Sequence, residues 1–544
     1  MKVAVAVGRA LTAAGVRQVF GVVGSGNFHL TNAMVAAGAR FVAARHEGGA
    51  ATMADAYSRM SGTVAALSVH QGCGLTNAMT GIAEAAKSRT PMVVVAAEVL
   101  EPQSNFYVDQ EALARAVGAV PMRITSAETA VAEAQEAVAT AVGERRTVLL
   151  NAPLPVQALE VPSAAAAERP APGTAERASR DAVVPDDADV AALVDLLRRA
   201  ERPVFVAGRG GRGLRQPLEA LAERCGALLA TSAVAHGLFH GNPWDLGISG
   251  GFASPRTAEL IRDADLIVGW GCALNMWTMR HGQLIGPDAT VVQVDDDASA
   301  LGVHREIQLG VTGDVELTAT LAVEAYGEQH VGYRTAELGS VRWRDVAFED
   351  ESTEERIDPR TLSIALDDLL PAERVIAVDS GNFMGYPSVC LSVPDENGFC
   401  FTQAFQSIGL GLATAIGAAL AQPDRLPVAV LGDGGALMSA VELDTVRRLG
   451  LPMLVVVYND DAYGAEVHHF GPGGHALETV TFPPTDIAAI GRGYGFEAVT
   501  VRTAKDLTAV KDWVNGARAA PMLVDAKVVA EHPSWWLEEA FRGH

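Results

Sequence analysis

The stretch from Leu426 to Tyr463 constrains the fold more tightly than any other part of the chain. An apolar segment, Val428-Ala429-Val430-Leu431, runs into a glycine turn, Gly432-Asp433-Gly434-Gly435, that holds one carboxylate. A helical spacing follows, with Leu437, Val441, Val446 and Leu449 near one face and Gly450 as its stop. A second apolar segment, Met453 to Val457, then ends on Asn459, Asp460 and Asp461. Strand, turn, helix and strand in that order make a βαβ unit with acids at the carboxyl ends of both strands. Ligands of open parallel sheets bind outside those ends, and a helix amino terminus attracts phosphate. Phosphate beside two carboxylates is repelled unless a divalent cation intervenes, so the stretch predicts an oxygen-ligated Mg²⁺-diphosphate site. The plainer reading, a helix capped by Asp433 with exposed acids after the next strand, leaves the matching of the two strand ends to coincidence.

The rest of the chain repeats the same grammar. Val19 to Val23 ends in Gly24-Ser25-Gly26, and Ala65 to Val69 ends in His70-Gln71-Gly72. Met92 to Ala97 and Thr147 to Leu150 add strands, and Arg202 to Ala207, Leu266 to Trp270 and Ala289 to Val294 begin and continue a second region. Short apolar runs alternating with helical spacing predict an α/β protein with parallel sheets. At 544 residues the chain is too long for one core and predicts about three domains. We place them at 1–160, 185–326 and 357–544, three doubly wound parallel sheets. The Ala/Pro-rich piece from Val161 to Asp187 reads as an extended linker, and the charged piece from Gly327 to Arg360 as a second. His532 to Leu537 reads as a tail folded over the protein.

A net charge of −23 argues against nucleic acid or an anionic membrane as partner. Five scattered cysteines without CxxC or Cys/His spacing argue against zinc and against a disulfide framework. The opening MKVAVAVGRALTAAGVRQVF reads as an amphipathic helix rather than a signal peptide, and no apolar run reaches membrane-spanning length. The expectation is a cytoplasmic protein.

Several smaller motifs carry less. Gly208-Arg209-Gly210-Gly211-Arg212-Gly213 satisfies GxGxxG after a strand, but no acid stands where a dinucleotide ribose wants one. It reads as a plain tight turn, with a phosphate contact by Arg209 or Arg212 left open. Asp295-Asp296-Asp297 reads as a solvated loop or a contact to whatever the middle domain binds. Glu47, in Arg45-His46-Glu47-Gly48-Gly49-Ala50, taken alone is a first-turn acid favoured by the helix dipole. His70, His281, His468 and His469 are candidate proton carriers, because histidine as a residue type exchanges protons near neutral pH.

Together these residues resemble the thiamine diphosphate-dependent decarboxylases and carboligases, the family of acetolactate synthase and benzoylformate decarboxylase. The likeness spans nearly the whole chain in the order pyrimidine-binding, middle and diphosphate-binding domain. Gly432-Asp433-Gly434 with Asn459-Asp460 is similar to the family's diphosphate motif, which implies Mg²⁺ ligands at Asp433, Asp460 and the main-chain carbonyl of Ala462. Aspartate stands at 460 where asparagine is commoner, which keeps an oxygen ligand. Gly435, Tyr463 and Gly464 complete the implied cofactor set. RHEGGAA resembles the family's glutamate motif, which makes Glu47 the carboxyl that bonds the aminopyrimidine and favours the tautomer acting as base. Ile408 matches the apolar side chain that props the two rings together. Ser25, His70 and His281 resemble the serine and histidines of benzoylformate decarboxylase-like members. Asp109-Gln110 resembles the Phe-Gln pair of acetolactate synthases without its Phe, which marks Gln110, and His469 stands where those enzymes carry an acceptor-selecting Trp. Altered residues at Ser249 to Gly251 and Gly271 to Asn275 argue against FAD.

The resemblance implies cleavage or formation of the C–C bond beside a 2-oxo carbonyl, as in acetolactate synthase, with aromatic 2-oxo acid decarboxylation as the alternative. It implies a homodimer or homotetramer with the active site between subunits. A nucleotide-dependent oxidoreductase built on the middle GxGxxG is the rival from another class. It leaves both GDGG and RHEGG unexplained.

Overall fold

Runs of β-branched residues with no polar alternation belong in sheets covered on both faces, and three such sheets form, each of six parallel strands. The computed structural model describes residues 1–162, 182–327, 329–334, 338–339 and 341–542. Most of the Ala/Pro-rich linker therefore lies outside the described residues.

In spatial order the first sheet runs Arg40–Ala43, Gln18–Gly21, Ala65–Val69, Met92–Glu98, Thr147–Pro153, Val120–Arg123. The third runs Phe399–Phe401, Arg374–Val378, Leu426–Gly432, Leu454–Asn459, Met522–Lys527, Glu497–Val501. Numbered within each domain, both have the order 2-1-3-4-6-5. The middle sheet runs Leu309–Thr312, Thr290–Asp295, Leu266–Trp270, Pro203–Ala207, Leu228–Thr231, Asp245–Ile248, the doubly wound order 6-5-4-1-2-3. The α/β expectation of three doubly wound parallel sheets holds. The order reverses beside the first strand of each sheet. At those points the loops after Gly21 and Val69 face each other in the first domain, as do those after Val378 and Gly432 in the third.

First and third domains share one core. Helix Glu47–Ser61 lies against helix Gly411–Ala421, and Met53, Ala54, Leu412 and Ile416 are buried between them. The approach is close because Gly417 has no side chain: a Cβ there would fall 2.3 Å from the Met53 carbonyl oxygen. The helices are rich in alanine for the same reason.

Three expectations change. The amphipathic helix after Asp433 is broken into helix Asp433–Ser439, a 3₁₀ turn Ala440–Glu442 and helix Leu443–Leu449, stopped by Gly450 at φ +64°. Only Val446 of the expected stripe is fully buried, whereas Leu437, Met438 and Val441 are 43%, 56% and 45% exposed. The second linker is a packed strap: Trp343 Nε1 donates to the Phe252 carbonyl at 2.8 Å, and Arg344 ion-pairs with Asp367 and Asp368. Asp296 and Asp297 are not solvated either. They pair with Arg145 at 2.5 Å and Arg89 at 2.7 Å, which ties the middle domain to the first.

The tail does fold back. Trp536 is buried beside Phe252 and Trp277, Trp535 packs on Trp343 with ring centroids 4.3 Å apart, and Ser534 Oγ donates to the Asn382 carbonyl at 2.5 Å. No helix among the described residues is long and apolar enough to cross a membrane.

Candidate active site

Strand Leu426–Gly432 delivers Asp433 and its neighbour Leu454–Asn459 delivers Asp460 to one buried corner, where the two carboxyls bond each other. Burial, then the charge and hydrogen bond of Asp460, push Asp433 up; burial pushes Asp460 up as well. Two acids sharing a proton in this way form the donor set a divalent cation would occupy in the proton's place. Ala462, whose N–H bonds Asp460, lines the same cleft. Asp461 sits at φ +57°, which turns the backbone so that Ala462 follows directly, bridged to Thr481.

Glycines are required here by space. A Cβ on Gly434 would fall 2.5 Å from the Tyr463 ring, and one on Gly464 would fall 2.2 Å from Asp460 Oδ2. Gly432 faces the Phe383 ring in the same way at 3.1 Å. The glycine turn packs directly against these side chains. It opens into a cleft of about 2180 Å³, whose wall also includes Gly435, Ile408, Asp433, Asp460, Ala462 and Tyr463. Asn459 is turned away from the cleft: its amide donates to Asp525 Oδ1 at 2.8 Å and accepts from the Asp461 N–H at 3.1 Å. It shapes the turn rather than lining the site.

The residue that ties this site together escaped the sequence reading. Asp379, fully buried after strand Arg374–Val378, accepts the N–H groups of Ser380 and Gly409 at 2.9 Å and of Leu410 at 3.2 Å. Burial pushes its carboxyl up to about 6. Its Oδ2 would lie 2.2 Å from a Cβ on Gly435, so one side chain fixes both the Ile408 turn and the GDGG turn. The signal was present, an apolar run closed by an acid and a glycine, as in the opening motif.

A second group lies in the first domain. Glu47 opens helix Glu47–Ser61, and its Oε2 accepts from Asn77 Nδ2 at 3.0 Å. His70 Nδ1 lies 3.0 Å from the Gln71 carbonyl oxygen, which can only accept, so Nδ1 carries the proton and Nε2 faces Ser25 Oγ at 3.4 Å. Phe106 packs edge-on against that imidazole. Gln110 belongs to the expected reacting set. It is buried, accepting from the Gly72 N–H at 3.1 Å and donating to the Ala97 carbonyl and Asn151 Oδ1, so it pins the turn behind His70. None of Glu47, Ser25, His70 and Gln110 lines the cleft of Asp433.

The remaining histidines form a third group, held by the tail. His281, at φ +52°, bonds the Glu539 carbonyl through Nε2 at 3.1 Å, and His469 stacks on Phe541 with centroids 4.0 Å apart. Burial holds His468 below the ordinary histidine range, with the charge of His532 adding to it. Within one chain, then, His281 does not join Ser25 and His70. In the middle domain the GxGxxG is the tight turn expected: a Cβ on Gly208 would fall 2.4 Å from the Gly271 carbonyl oxygen. Arg209 and Arg212 both line the cleft, and Arg212 donates to the Glu396 carbonyl at 3.0 Å.

Comparison with known proteins agrees with this geometry. Residues 1–114 match the thiamine pyrophosphate enzyme N-terminal TPP binding domain, 190–322 its central domain and 379–526 its C-terminal TPP binding domain. A sulfoacetaldehyde acetyltransferase of Alcaligenes xylosoxydans xylosoxydans is 28% identical over 497 residues, 83% of this chain and 80% of that protein. An acetolactate synthase large subunit of Parasynechococcus marenigrum is 27% identical over 85% of this chain and 76% of its own. A Pseudomonas aeruginosa protein named probable 2-ketoarginine decarboxylase is 29% identical over 92% of this chain and 89% of its own. Among solved structures, the thiamine diphosphate-dependent 4-hydroxybenzoylformate decarboxylase of Rhodococcus jostii RHA1 shares the fold, with a TM-score of 0.82 at 22% identity. That match covers 97% of this chain and 99% of that one.

A chain matching all three domains in order, with a glycine cradle and paired acids in the last, is a thiamine diphosphate-dependent enzyme. It belongs to the thiamine pyrophosphate enzyme family, in the branch that holds acetolactate synthases and 2-oxo acid decarboxylases.

Proposed function

We propose that this enzyme is a Mg²⁺-dependent 2-oxo acid decarboxylase and carboligase of the acetolactate synthase type. The observation that carries the reading is the buried Asp433–Asp460 pair beside a glycine turn on the wall of the cleft. Thiamine diphosphate, when bound, supplies a thiazolium that stabilises the carbanion left when a bond beside a carbonyl breaks. The chain's part is to bind, orient and move protons. Asp433, Asp460 and the Ala462 carbonyl would hold the cation, and the turn of Gly432, Gly434, Gly435 and Gly464 would take the diphosphate. Ile408 would pack against the bound cofactor. Glu47 would hydrogen-bond its aminopyrimidine and hold a proton there. Ser25 and His70, with Nε2 free to accept, relay a proton at the reacting carbon.

The cleft holds one half of this set and the first domain the other, which supports a cytoplasmic homodimer or homotetramer completing each site from two chains. The domain limits proposed are 1–160, 185–326 and 357–544. Aromatic 2-oxo acid decarboxylation is the second reading, supported by the Ser25–His70 contact with Phe106 beside it. A panel of 2-oxo acids with thiamine diphosphate and Mg²⁺, scoring CO₂ and acyloin products separately, tests both. Release of CO₂ from none of them contradicts the function.

A further inference from the structure

Asp460 changes the charge of the cation site without changing its shape, because aspartate and the commoner asparagine are nearly isosteric. Gly432 and Tyr458 are in register on adjacent parallel strands, so Asp433 and Asp460 leave the sheet side by side, and their carboxyls bond each other. Asp460 is held in place: the Ala462 N–H donates to it, and a Cβ on Gly464 would fall 2.2 Å from its Oδ2. Arg356 and Lys527 approach the same turn but are engaged by other acids, Arg356 by Asp461 at 2.7 Å and Lys527 by Asp525 at 3.4 Å. Among the described residues, the lysines, arginines and histidines lining the cleft all come from the first and middle domains. The third domain contributes acids instead: Glu396, Asp433, Asp460 and Glu466. A diphosphate adds further negative charge to the wall that Asp433 and Asp460 line, so the cation must balance acids and cofactor together. With asparagine at 460, a divalent cation and one carboxylate leave a net positive charge to meet the diphosphate. With two carboxylates the charges of cation and protein already cancel.

We infer that Asp460 makes the cation site self-sufficient: the divalent cation binds the chain on its own, before thiamine diphosphate, and stays when the cofactor leaves. The inference rests on the cation site proposed above and concerns the order in which that site fills. A second carboxylate strengthens the hold on a hard cation, since oxygen sites for such ions are tuned by their ligand charge. The same charge weakens the pull of the filled site on the diphosphate.

Calorimetry with Mn²⁺ alone on the cofactor-free, full-length protein tests this. One Mn²⁺ per chain should bind, and Asp460→Asn should weaken that binding about tenfold or more, the scale of one added charge at contact distance. At saturating Mg²⁺ the same variant should bind thiamine diphosphate at least as tightly as the unaltered chain, which also shows that it is folded. The net charge of −23 attracts cations elsewhere on the surface, so Mn²⁺ binding that is unchanged in Asp460→Asn is adventitious and overturns the inference. Weaker thiamine diphosphate binding by a folded variant at saturating Mg²⁺ overturns it as well. Mn²⁺ that binds the unaltered chain only when thiamine diphosphate is present overturns the inference and leaves the proposed function standing. Mn²⁺ that binds under neither condition overturns the cation site and the inference together.

Discussion

Asp379 accepts several backbone N–H groups in full burial, and the cost of ionising it there sets its pKa near 6. A carboxyl raised above its unfolded value binds its proton more tightly in the folded chain. The contribution of Asp379 to cofactor-free stability is therefore full below the ordinary aspartate range and is lost as the pH rises through about 6. Thermal unfolding at a series of pH values should show that slope, and Asp379→Asn should flatten it. The variant should also lose about 1–3 kcal/mol, because an amide cannot accept the same set of N–H groups. Asp433→Asn acts on the bound state instead. The two acids already share a proton in the apo protein, so apo stability near neutral pH should change little while stabilisation by Mg²⁺ and thiamine diphosphate disappears. A variant that still gains stability from the pair would exclude Asp433 as a ligand. Glu47→Gln should keep the fold and lose turnover by roughly 10²–10⁴-fold; near-normal rates would remove Glu47 from the proton path.

The turns show how much of the site the sequence pattern carried. GDGG and the acids after Val457 were legible because a glycine run closing an apolar segment has few other uses, and the strands there form as read. Asp379 was missed because a lone acid at a strand end looks like any surface residue until the turns packed on it are known. The sequence shows Gln110 as an amide apt for substrate, and only the packed chain shows its bonds to the Gly72 N–H and the Ala97 carbonyl. The helix after Asp433 had the right period but the wrong partner. Leu437, Met438 and Val441 form an apolar stripe, yet it points away from the chain's own core. Periodicity reveals that a face is apolar, not what covers it. At this scale Gly435→Ala should be severe, since the new methyl meets Asp379 Oδ2 at 2.2 Å. We expect loss of thiamine diphosphate binding measured by calorimetry, with the circular dichroism of the fold kept.

Over the whole molecule, two domains of equal strand order flank a middle one and share a core, through Glu47–Ser61 against Gly411–Ala421. Glu442, just past the GDGG helix, accepts the N–H groups of Arg45 and His46 at 3.0 Å, immediately before Glu47. The third domain thus braces the turn that presents Glu47 without bringing Glu47 into the cleft of Asp433. Motifs pointed to Glu47 and Asp433 together; in the packed chain Glu47 lies outside the cleft that Asp433 lines. The exposed stripe of Leu437, Met438 and Val441 beside the cradle is the surface we expect a second copy to cover. Val441→Glu should shift the protein toward monomer in sedimentation and lower activity with it.

The most direct test mixes two inactive variants, Glu47→Gln and Asp433→Asn, after subunit exchange. If each site takes Glu47 from one chain and Asp433 from the other, half the dimers regain one intact site, and the mixture recovers about a quarter of wild-type turnover. A mixture as inactive as its parts would place the whole site in a single chain and contradict the account.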